Sequence, residues 1–196
     1  MKFNDARLEK SNDAILDAAL TALTENPDTP FTEISRLARV GRATLYRMYS
    51  TRELLVEALI LRCLDKIDNQ VLKAESKALN TKHFFGLFFE TMLNLEHEYK
   101  FMFQLTPEDH TSEEIKKRCY QQESEILSLI RSAQNEGLID KKLPPEWVAR
   151  LMDGVIYATW EFNKIEKNTK KSAKLAMRSF FSGTGNVDFF SNSSFK

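Results

Sequence analysis

The chain has 196 residues, 42% apolar and 29% charged, with 28 basic side chains against 28 acidic ones. That length suits one substantial core, or a small module joined to a larger one, and the composition excludes a disordered or fibrous chain. No apolar run approaches the roughly 18 to 20 residues that span a bilayer, and MKFNDARLEKSNDA at the N-terminus lacks the apolar centre of a signal peptide, so a cytoplasmic protein without membrane contact is expected.

Five prolines and six glycines leave long spans of good helix formers uninterrupted, so the expected fold class is all-α. A first helix is expected over about 8–25, with Ile15, Leu16, Ala19, Leu20 and Leu23 on one face, ended by NPDTP. A short second helix covers about 32–39, with Ile34 and Leu37 inward and Arg36 outward. A third starts near Arg42 and stops by Tyr49, where Ser50 and Thr51 cap a fourth helix that opens at Arg52 and runs towards Asn80. The rest divides into helices over about 81–98, a short one around YKFMFQL, a turn at PEDHTS, then about 113–136, 146–164 and 169–181. Gly137 stops one of these, and Pro144 and Pro145 open the next. The expected organisation is a small N-terminal unit (1–52), a larger helical unit (53–182) and a Ser- and Asn-rich tail (183–196).

The zero total charge hides a local imbalance. Residues 1–31 carry three bases and six acids, whereas residues 32–52 carry Arg36, Arg39, Arg42, Arg47 and Arg52 against Glu33 alone. A compact basic patch is the electrostatic footprint of a protein that meets phosphates. Two short helices joined by a tight turn, the second with Leu45 and Tyr49 inward at i and i+4, form the pattern of a helix-turn-helix. On that geometry Arg42, Ala43 and Thr44 stand at the end that reads base edges, Tyr46 and Arg47 lie one turn on towards phosphate oxygens, and Arg52 adds a charge at the start of the fourth helix. A solvated basic face, with Tyr46 as a hydrophobic staple whose hydroxyl meets water, is the plainer alternative.

Four segments, ILDAAL, EISRLARV, ATLYRMY and STRELLVEAL, carry a resemblance to the DNA-binding domain of the TetR family of transcriptional regulators, over about 15–61. The resemblance implies groove contacts at Arg42, Ala43, Thr44, Tyr46, Arg47 and Met48 and a phosphate contact at Arg52. It also implies an all-helical effector domain and a homodimer built on the last two long helices. Three positions depart from the family pattern: Arg39 stands where the family usually has Gly, Gly41 where it has a capping Ser, and Pro30 where it has Thr.

In the larger unit, HFFGLFFETMLNLEHEYKFMF is apolar nearly all round, which is the pattern of a buried core helix. Thr91 nevertheless shares a face with Phe84 and Phe88, and Gln122 or Glu123 interrupts the apolar stripe Ile115, Cys119, Ile126, Ile130 and Ala133. Sparse polar groups on apolar walls suit a small-molecule pocket. With the family resemblance, Phe88, Thr91, Met92, Phe103, Gln122, Tyr157 and Trp160 are its expected lining, a filled core with satisfied polar groups being the alternative. Gly154 and Ala158, four apart and beside Trp147, permit close approach of another helix and point to a dimer interface or to close packing within the chain.

Cys63 and Cys119 have no partner at metal-ligand spacing and read as buried thiols. His83, His97 and His110 lack i, i+4 spacing, and no nucleophile or paired carboxylates accompany them, so neither a metal, a cofactor nor an enzyme is expected. The expected function is a sequence-specific DNA-binding regulator, a repressor released by a small apolar or amphipathic effector and acting as a homodimer on a palindromic operator. The alternative is an apolar-ligand carrier whose N-terminal unit binds a protein.

Overall fold

The computed structural model describes residues 2–105 and 112–185, with side chains from Leu8 onward. The expected turn at Pro107–Thr111, His110 and residues 186–196 of the expected tail lie outside the described residues. Among the described residues there are nine helices and no strand: α1 (Lys2–Glu25), α2 (Phe31–Leu37), α3 (Arg42–Met48), α4 (Arg52–Glu75), α5 (Thr81–Leu93), α6 (Glu96–Phe103), α7 (Glu113–Asn135), α8 (Pro145–Glu166) and α9 (Thr169–Thr184). The expected helix over 81–98 is two helices, because Leu95 leaves helical geometry at φ −114°, ψ 26°. The Asn94 side chain donates to the Glu90 carbonyl (3.0 Å) and satisfies one of the carbonyls left at the break. Helix α9 runs past the expected boundary at residue 182, and Thr184 is fully buried, its hydroxyl donating to the Phe180 carbonyl (2.9 Å).

The chain forms two compact units, the first of residues 1–69 and 95–119, the second of 70–94 and 120–196. The first thus extends well beyond residue 52 and takes in α6 and the start of α7. Its core joins Ile15, Leu16, Ala19, Leu20 and Leu23 of α1 to Ile34, Leu45 and Tyr49, then to Leu55, Leu59, Ile60, Cys63 and Leu64 of α4, with Phe101 and Ile115. Each fully buried Leu or Ile contributes about 1.5–3 kcal/mol relative to exposure. Charges pin the edges of this core. Arg62 pairs with Asp17 at 2.9 Å, buried Glu98 of α6 takes a hydrogen bond from Lys66, and Arg118 forks onto Asp65 and Asp68 at 2.7 and 2.6 Å. Burial and the nearby Glu98 carboxylate push the Cys63 thiol up to about 12, whereas Cys119 is only half-buried.

In the second unit α5, α8 and α9 pack together around aromatic rings. Phe85 stacks on Phe180 (centroids 5.5 Å apart), and Phe89 meets Phe180 edge-on at 5.6 Å. The buried faces follow helical steps: Val148, Met152, Ile156, Thr159 and Trp160 on α8, and Ser172, Ala173, Ala176, Phe180 and Thr184 on α9. Helix α7 ends at Gly137 (φ 77°), whose N–H donates to the Gln134 carbonyl while Leu138 N–H donates to Ala133, a Schellman closure.

Candidate nucleic-acid interface

Helix α2 closes as α7 does. Arg39 N–H donates to the Arg36 carbonyl (3.1 Å) and Val40 N–H to the Ser35 carbonyl (3.0 Å), which places Arg39 at the left-handed position with φ 54°. Val40 then packs, partly buried, against the core that holds Ile34. A residue with a Cβ in this conformation costs about 1–2 kcal/mol relative to the ordinary helical region, which is why glycine is the common choice. Gly41, by contrast, is extended (φ −65°, ψ 143°) and a Cβ added there meets only Thr44 Oγ1 at 3.9 Å, so nothing in its geometry demands glycine. Pro30 opens α2 without a side-chain cap; its fixed φ of −61° suits the position.

Helix α3 is held from below. Leu45 is fully buried, and the buried Tyr49 ring donates its hydroxyl to Asn12 Oδ1 at 2.5 Å. Burial raises the Tyr49 phenol above its ordinary range, with Arg62 opposing. These anchors leave Arg42, Ala43, Tyr46 and Arg47 exposed and Thr44 half-buried. Tyr46 has its ring edge-on to Phe31 with centroids 5.1 Å apart, so its apolar part is fixed on α2 while the side chain stays 48% exposed. Met48 is half-buried and packs against the core.

The arginines separate by partner. Arg36 is forked onto Glu33, with Nε 2.9 Å from Oε2 and 3.0 Å from Oε1, and the pair lowers the Glu33 carboxyl and raises the guanidinium. Arg52, expected at a phosphate, is engaged within the chain: its two terminal nitrogens donate to the Thr29 and Pro27 carbonyls and tie the start of α4 to the turn before α2. A phosphate contact there would compete with those bonds. Arg39, Arg42 and Arg47 have no ion-pair partner among the described residues and are exposed together around α3. Leu37, expected inward, is 44% exposed, because this seven-residue helix ends with it and Ala38, i+4 from Ile34, takes the inward place.

The residues expected to line an effector pocket are divided between the two units, Phe103 in the first and the others in the second. Phe88, Met92 and Trp160 are buried in the second unit, and the indole Nε1 donates to the Met92 carbonyl at 2.9 Å. Thr91 and Gln122 are half-buried in that unit. Tyr157 is 57% exposed, on the side of α8 opposite its buried stripe, and Phe103 belongs to the first unit, its ring set against Tyr99 at 5.2 Å.

Tyr157 instead shares the outer side of α8 with the expected interface residues Trp147, Gly154 and Ala158, and with Ile165, at steps of three, four and seven. Trp147 is 61% and Ile165 81% exposed. A Cβ added at Gly154 meets no atom within 4 Å, so no packing within the chain calls for glycine in a 22-residue helix. Asp153 beside it is mostly buried; burial pushes its carboxyl up to about 6, against the pull of Arg150.

No family model and no curated protein matches the chain. Solved structures do. The TetR-like regulator LfrR of Mycobacterium smegmatis, in complex with proflavine, covers 93% of this chain and 99% of its own at TM-score 0.72 and 24% identity. A TetR family transcription regulator from Marinobacter aquaeolei VT8 covers 95% and 100% at TM-score 0.73 and 18% identity. The ketosteroid transcriptional regulator KstR2 of Mycobacterium tuberculosis covers 90% and 95% at TM-score 0.71 and 16% identity. The likeness is one of fold: the chain has the all-helical TetR-type fold over nearly its whole length.

Proposed function

We propose that the chain is a TetR-type transcriptional regulator that binds double-stranded DNA through α3 as a homodimer. The observation that carries the reading is the outer face of α3. Arg42, Ala43, Thr44, Tyr46 and Arg47 are presented over the buried Leu45, with both arginines lacking an acidic partner among the described residues. A helix of this kind fits the major groove, where an arginine forks onto the two acceptors of guanine and small methyl-bearing side chains meet thymine. Arg42, at the first position of α3, reads a base. Arg47, one turn on, holds a phosphate.

The outer side of α8, with Trp147, Gly154, Tyr157 and Ala158, supports pairing of two copies, and two reading heads about 34–36 Å apart match a palindromic operator. A small apolar or amphipathic effector is taken by the second unit near Phe88, Thr91, Met92 and Gln122, and repression is relieved when it favours a head spacing that no longer fits DNA. LfrR, of the same fold, holds proflavine, which is in keeping with an effector of that character.

Selection of duplexes from a random pool, followed by anisotropy titration, tests the reading. Arg42→Ala is expected to cost about 1–3 kcal/mol and to relax sequence preference, whereas Arg47→Ala weakens every duplex and lowers the salt slope by about one. Unchanged affinity in both variants overturns it.

A further inference from the structure

We infer that Arg39, at the turn between the two helices, is a third DNA contact, a phosphate clamp placed by the left-handed end of α2. The inference rests on the DNA reading above and adds a residue to it from backbone geometry. The chain closes α2 and α7 with the same pair of hydrogen bonds, and at α7 it uses glycine for the left-handed residue. At α2 it uses arginine, in a conformation that L side chains rarely adopt. A residue held in a sparsely populated region points to a task for its side chain where local structure offers none.

Nothing within the described molecule employs this side chain. Arg39 is exposed, it takes part in no ion pair, and the turn's hydrogen bonds are made by backbone alone. Helix α2 already carries a cation in its last turn, Arg36, so the helix dipole has its complement. Lys167, the other non-glycine residue with positive φ among those described (φ 53°), shows that the conformation alone is not a DNA signature. It sits at the corner between α8 and α9, in the second unit. What sets Arg39 apart is its place three residues before Arg42, among the exposed, unpaired charges around α3. Because it stands outside the helix that enters the groove, its long guanidinium-bearing side chain meets the sugar-phosphate strand at the groove edge rather than a base.

The test is anisotropy titration of the intact protein, between about 50 and 200 mM KCl, with a selected duplex and a scrambled one of equal length. Arg39→Gly is expected to bind both duplexes about tenfold more weakly and to lower the salt slope by about one, while its thermal midpoint equals or exceeds that of the parent. Arg39→Lys keeps the slope, and Lys167→Gly keeps both slope and affinity. If Arg39→Gly retains affinity and slope while Arg42→Ala loses affinity, the inference falls and the DNA reading stands. A parent protein that enriches no duplex overturns both.

Discussion

The ends of α2 and α7 make one comparison that the chain itself supplies. Both close with the N–H of the left-handed residue bonded three residues back and the next N–H bonded five back, yet one places Arg39 there and the other Gly137. The backbone solution is set by how a helix must end, and the residue that occupies it is a separate choice. Where the turn only has to stop a helix, glycine stands. Where it faces outward between the two helices of the candidate interface, an arginine stands despite the conformational cost. Gly154 is the inverse case, a glycine at a helical position where a side chain would be accepted and would stabilise the helix.

The largest expected effect comes from removing what lies under the first turn. Leu45→Ala leaves a cavity in a fully buried site and is expected to destabilise the first unit by about 2–5 kcal/mol in denaturant titration. A loss below 1 kcal/mol would mean that α3 is not anchored as described. Next to Gly154, Asp153→Asn tests burial of charge rather than backbone strain. A folded-state carboxyl raised to about 6 contributes stability below its ordinary value of 3.8 and loses it as pH rises through 6. The Asn variant should therefore match the parent near pH 3.5 and gain on it through pH 4–6, to about 1–3 kcal/mol at pH 8. A stability difference independent of pH would refute this.

Smaller changes act on the two turns directly. Gly137→Ala meets no atom within 4 Å, so only the backbone resists it, and a loss of about 1–2 kcal/mol is expected. Arg39→Gly should shift stability the other way by about 0.5–1 kcal/mol, less than the strain relieved because glycine also frees the unfolded chain. Equal and same-signed effects would dissolve the comparison. Gly154→Ala is expected to act on a similar scale, about 0.5–1 kcal/mol more stable at low concentration but with weaker self-association by analytical ultracentrifugation if the proposed interface holds. Unchanged self-association would remove Gly154 from the proposed interface.

Much of the fold was legible because helices are local. Leu45 and Tyr49 could be assigned inward from i, i+4 spacing, and the stops at Gly137 and before Pro145 are written in residues that end or open helices. The sequence says least where a helix is short or a partner distant. Leu37 fits an inward step, but a helix of seven residues buries too narrow a stripe to include it. Arg52 looks like a free cation until the carbonyls of Pro27 and Thr29, more than twenty residues earlier, are brought beside it. Tyr157 and Phe103 are exposed, which aromaticity could not reveal, because it says nothing about which side of a helix faces the core.

The helical class and the basic stretch can be read from the chain alone, since propensity, charge and periodicity are properties of neighbouring residues, whereas the unusual residue at position 39 stands out only against the family resemblance. The Arg36–Glu33 pair is local, three residues apart on one helix, but only tertiary contacts engage Arg52, through two carbonyls more than twenty residues earlier, and leave Arg39, Arg42 and Arg47 outward. The reason is physical. A charge is assigned its role by what lies within a few ångströms of it, and those neighbours are gathered from far along the chain by the burial of apolar faces.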